Sequence, residues 1–81
     1  MNLLAYYTSS IFTYNNLLES LELKLKFLDN NNHLKDEAEK NECDIIEFET
    51  KIRIFKINNI LEQLNKEFKD SITLYFFALE D

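Results

Sequence analysis

A chain of 81 residues with no glycine, no proline and one cysteine is long enough for one domain, and it excludes both an intramolecular disulfide and a glycine-rich loop of the kind that cradles phosphate. Fifteen acids against nine bases leave a formal charge of −6, which argues against direct binding to nucleic acid or to an anionic membrane, since both need positive charge. The hydrophobic share, 46%, is that of a folding chain and not of a disordered one.

The first residues lack the basic region of a signal peptide, and polar residues interrupt their apolar stretch. The longest unbroken apolar run, residues 74–79, is far too short to span a bilayer. A cytoplasmic location follows by elimination, in the host cell if the chain is viral. Asn, Lys, Ile, Phe and Tyr fill 37 of the 81 positions, and Lys outnumbers Arg eight to one. Those residues have AT-rich codons, which suits a bacterium, plasmid or virus of that composition.

In chain order, residues 3–21 fit a helix, because Leu4, Tyr7, Ile11, Tyr14, Leu18 and Leu21 step by three and four onto one face. Residues 21–27 then alternate apolar and charged, the two-residue period of a half-buried strand. A rival reading continues the helix through Leu18, Leu21, Leu25 and Leu28, since Leu and Lys are good helix formers. Residues 29–33 read as a turn. With no glycine or proline, tight turns have to use Asn or Asp, the next-best residues for positive φ. Residues 34–44 are strongly polar and have room for a short helix around Leu34 and Ala38.

Residues 46–54 carry the clearest strand pattern, with Ile46, Phe48, Thr50, Ile52 and Ile54 on one side and Glu47, Glu49, Lys51 and Arg53 on the other. Asn59 followed by Glu62 resembles a helix cap, and Ile57, Ile60, Leu61, Leu64 and Phe68 form a helical stripe that Asp70 and Ser71 should end. Residues 71–77 are rich in strand formers. The expected fold is therefore α+β, in the order α-β-β-α-β: two helices on one face of a three-stranded antiparallel sheet. The alternative is an all-α helical hairpin or bundle. In the α+β fold, residues 21–27 and 46–54 pair so that Glu22, Lys24 and Lys26 lie opposite Lys51, Glu49 and Glu47, three attractive pairs on the outer face.

No catalytic, cofactor or metal constellation emerges. His33 sits in the polar turn. Cys43 lies between Glu42 and Asp44, whose charges are wrong for a thiolate nucleophile. Asp29, Asn31 and His33 alternate like the start of a calcium loop, but Leu34 and Lys40 stand where glycine and glutamate are needed.

The informative feature is charge position. Residues 29–49 hold eight acids and two bases, so the whole net charge lies in that stretch and the rest of the chain is neutral. Such a field speeds encounter with a basic partner; the plainer reading is a solvated loop. The candidate partner-binding residues are Asp36, Glu37, Glu39, Glu42, Asp44, Glu47 and Glu49. Tyr75 and Phe77 join them as outward aromatics on an edge strand.

The expected function is non-catalytic: binding and inhibiting or modulating a basic protein or ribonucleoprotein, such as a nuclease or a nucleic-acid-handling complex. Phage anti-defence proteins, including anti-CRISPR proteins, are of this general type, as are antitoxins and immunity proteins. Nucleic-acid mimicry by the carboxylates is one form of it. The alternative is a homodimeric structural or assembly adaptor that uses the aromatic C-terminal strand.

Overall fold

A computed structural model describes residues 2–31 and 36–80, and the described chain is two helices: α1, Leu3–Asn31, and α2, Glu37–Glu80. At about 1.5 Å per residue, a 44-residue helix is roughly 66 Å long. The long axis of the molecule is 67 Å and its cross-section 18 × 15 Å, so α2 runs its whole length and α1 lies against part of it.

One seam joins the helices. On α1 it comprises Leu4, Tyr7, Ile11, Tyr14, Leu18, Leu21, Leu25 and Leu28, all buried or half-buried. On α2 it comprises Cys43, Glu47, Thr50, Ile54, Ile57, Leu61, Leu64 and Phe68. Both series step alternately by three and four, the 3.5-residue repeat of a coiled coil. The pairing is antiparallel. The rings of Tyr7 and Phe68 meet edge-on with centroids 6.2 Å apart. Leu21, Ile57 and Leu61 form the centre of the core, with Ile11, Tyr14, Leu18 and Ile54 packed around them.

Each helix opens on a side-chain cap. Asn2 Oδ1 accepts from the backbone N–H of Leu4 at 2.9 Å, and Asp36 Oδ1 accepts from that of Glu39 at 2.8 Å. Glu37 and Glu39 lie in the first turn of α2, where negative charge complements the helix dipole. Hydroxyl residues inside the helices donate back to the carbonyl four residues earlier, as Thr8 does to Leu4, Thr13 to Ser9 and Thr73 to Lys69.

The α+β expectation is wrong, and the hairpin alternative is the fold. Residues 21–27 continue α1. Their alternation coincides with the seam at Leu21 and Leu25, but Leu23 and Phe27, expected to face the core, are 61% and 64% exposed. Residues 46–54 are helical too: the helix turns Thr50 and Ile54 inward and Phe48 and Ile52 outward, splitting the supposed strand face. Residues 71–77 complete α2, and neither Asp70 with Ser71 nor Asn59 interrupts it. The reason is that 37–80 holds no glycine or proline, the two strongest helix stops, while its heptad seam packs against α1 as far as Phe68. Asn does not supply positive φ among the described residues. Instead Asn31 and Asn65 sit in helices and donate to the carbonyls of Phe27 and Leu61 at 2.8 and 2.9 Å. Of the expected turn, Asp29 to Asn31 belong to α1, while Asn32 and His33, like Leu34 of the segment after it, lie outside the described residues, and Ala38 of that segment belongs to α2.

Candidate docking surfaces

Two helices can bury only one stripe each, and much apolar surface is left over. None of the described large side chains is fully buried. The accessible surface is 6512 Å², against roughly 5,100 Å² for a compact monomer of this mass. The radius of gyration is 18.7 Å, where a compact chain of this length would have about 12 Å. Three parts of this exposed surface are candidate docking sites.

The first is the acidic start of α2. Asp36, Glu37, Glu39, Glu42, Asp44 and Glu49 are exposed, and Glu47 is half-buried at the seam. Glu47 is engaged by its own helix, its Oε1 lying 3.0 Å from Lys51 Nζ. At about 100° per residue these carboxylates ring the helix instead of sharing a face. The β register that set Glu22, Lys24 and Lys26 against Lys51, Glu49 and Glu47 falls with the sheet. Nonetheless Glu22, Lys26, Glu47 and Lys51 do come together, lining one shallow groove with Leu25 and Asp29.

The second is the far end of α2. Tyr75 and Phe77 were expected on an edge strand; they are exposed residues of a helix, in company with Leu74, Phe76 and Leu79. Tyr75 continues the seam spacing one heptad beyond Phe68, but the register that opposes Phe68 to Tyr7 runs past the start of α1 there. Tyr75 lies beside Leu3 and Leu4 in a shallow notch, its ring 6.0 Å from that of Phe76.

The third is absent from the expectations above. Ile45, Phe48, Ile52 and Phe55 step by three, four and three along α2, the spacing of the inner seam, and all are exposed. Ile52 is two residues from the buried Thr50, about 200° round the helix, so this stripe points away from α1. Its signal in the sequence is a second heptad series offset from the first, hidden because the strand period groups Phe48 and Ile52 with Thr50 and Ile54.

Cys43 is buried at the hairpin end of the seam. Among the described residues no cluster of three or more His, Cys, Asp or Glu could hold a metal ion, and no helix is long and apolar enough to cross a membrane. His33 lies outside the described residues. The chain matches no protein-family model, no curated protein and no solved structure.

Proposed function

We propose that the chain is a non-catalytic binding module whose acidic hairpin end docks onto a basic protein or ribonucleoprotein and inhibits or modulates it. The observation that carries this reading is the tip of the molecule: Asp36, Glu37 and Glu39 are all exposed at the start of α2, with Glu37 and Glu39 in its first turn. Carboxylates gathered at one end of a rod focus a negative field there, which supplies approach and orientation toward a basic surface. A nuclease or a nucleic-acid-handling complex, with a surface built for phosphates, is the class of partner this charge suits. Phage anti-defence proteins and antitoxins work in this way.

The test is a triple charge reversal, Glu37→Lys, Glu39→Lys and Glu42→Lys, in a chain shown by circular dichroism to remain helical. Association with a basic partner captured from the source cell is expected to slow by about tenfold or more at low salt, and the difference should shrink as salt rises. Unchanged association kinetics would refute the docking role. A second reading, an assembly adaptor, is favoured by the exposed aromatic turns at the far end of α2, now as a helix end and not as a strand.

A further inference from the structure

We infer that the outer stripe of α2 is covered by a second copy of the same chain, packed antiparallel to form a four-helix dimer. Four features of α2 identify the occupant.

The stripe reads Ile45, Phe48, Ile52, Phe55. Laid antiparallel on itself about residue 50, it sets Ile45 against Phe55 and Phe48 against Ile52, twice each. Every branched side chain then meets an aromatic one, and no layer doubles a Phe on a Phe. This is the self-complementarity a twofold interface demands.

The register also matches charge. It lays residues 36–47 of one copy along 53–64 of the other. The first segment holds six acids and one base, and the second holds Arg53 and Lys56 against Glu62. Glu42 and Lys56 flank the stripe on the same side, so each Glu42 lies beside the Lys56 of the other copy. A parallel pairing would lay acid on acid along the whole segment. Glu49 and Lys51 are the exceptions, since the twofold about residue 50 sets each near its own mate.

The area fits as well. Phe48 and Phe55 are 65% and 66% exposed, and Ile45 and Ile52 are exposed beside them. Covering the four removes roughly 400 Å² of apolar surface from each copy, so about 800 Å² in all, and the flanking Glu42, Lys51, Lys56 and Asn59 bring the interface past the approximately 1,000 Å² a specific contact needs. The spacing, finally, is that of the seam α2 already makes with α1, so the same knobs-into-holes packing is available on both sides of the helix.

Asp36, Glu37 and Glu39 lie ahead of the stripe, so the dimer carries an acidic tip at each end. The inference does not depend on what those tips bind.

Sedimentation velocity across a concentration series tests it. The wild-type chain should move from monomer to dimer as concentration rises. Phe48→Glu with Phe55→Glu should raise the dissociation constant at least about tenfold while helicity is retained, because neither residue touches the inner seam. Tyr75→Ser with Phe77→Ser should leave the dimer intact. Oxidative cross-linking in a Cys43→Ser background reads the register. Glu49→Cys should cross-link to itself, and Glu42→Cys should cross-link to Lys56→Cys but not to itself. A monomer at all concentrations, a dimer insensitive to the Phe48 and Phe55 changes, or self-cross-linking through Glu42→Cys would each overturn the proposal.

Discussion

The two faces of α2 carry the same pattern with different outcomes. Inward, Cys43, Thr50, Ile57, Leu61 and Leu64 are buried against α1; outward, Ile45, Phe48, Ile52 and Phe55 repeat the spacing and stay exposed. The inner series is long, running from residue 43 to 68, and it is matched by a series of equal length on α1. The outer one covers about three turns and has no counterpart, since α1 has only scattered exposed apolar residues such as Phe12 and Leu23 on its far side. Length and a matching partner decide which stripe folds the hairpin, and the shorter stripe is left for association. This division of labour also explains why a chain with so much exposed apolar surface still has a defined pairing.

The strongest way to break the comparison is to truncate one residue on each face. Leu61 is buried among Leu21 and Ile57, and Leu61→Ala is expected to cost about 2–4 kcal/mol through lost burial and the cavity left behind. Phe55→Ala removes a larger side chain but should change hairpin stability by no more than about 0.5 kcal/mol when measured below the dimerisation range. Urea unfolding followed by circular dichroism measures both. If Phe55→Ala proves as costly as Leu61→Ala at low concentration, the outer stripe is part of the monomer's own core and the distinction fails.

The same two stripes show how far the fold could be read from the residues. The α1 stripe from Leu4 to Leu21 was legible because six residues obeyed the helical period with no competing pattern. Residues 46–54 misled because a two-residue period and a heptad share members: Thr50 and Ile54 fit both, while Phe48 and Ile52 fit the strand only if they face the core. The β-branched content tipped the balance the wrong way, and the lack of any helix breaker in 37–80 was the better guide. Neighbour relations survived the error. Segments 21–27 and 46–54 do lie antiparallel to each other, because a hairpin brings the same pieces of chain together whether they are strands or helices. The crowding of acids into residues 29–49 was legible because net charge is a linear property of sequence. The outer stripe was not, because it exists only once the helical period is granted.

A smaller effect is expected where the acidic stretch starts. Asp36 serves α2 directly, accepting the Glu39 amide at 2.8 Å, and Asp36→Ala should destabilise the hairpin by about 0.5–2 kcal/mol. Asp36→Asn keeps the cap and should recover most of that loss. The pair separates the two roles of the acids. A variant that retains stability but binds a basic partner more slowly identifies charge as a docking feature. Equal binding by Asp36→Asn and the wild type would confine Asp36 to capping and leave docking to Glu37 and Glu39.

The subtlest test lies at Thr50, a polar side chain buried in the inner face. Thr50 is 2% exposed, and its Oγ1 donates to the carbonyl of Ile46 at 2.7 Å. That carbonyl also has the helical N–H of Thr50, so losing the hydroxyl leaves no acceptor stranded. Valine keeps the β-branch, and with it the same restriction of χ1, and places a methyl where the hydroxyl was. Back-bonding of this kind slightly weakens a helix, and a buried hydroxyl gains little net free energy from a bond it could equally make with water. Thr50→Val should therefore leave stability unchanged or raise it by up to about 1 kcal/mol, read as a higher urea midpoint at unchanged slope. The cost should appear in uniqueness, because a polar residue at a seam position penalises slipped registers that an all-apolar seam tolerates. Amide exchange along 43–64 is the readout, and faster or more heterogeneous protection at higher global stability is the expected signature. A loss of more than about 1 kcal/mol would instead give the hydroxyl a structural role beyond its bond to Ile46. On the outer face, Ile52→Thr should leave hairpin stability alone and weaken only self-association.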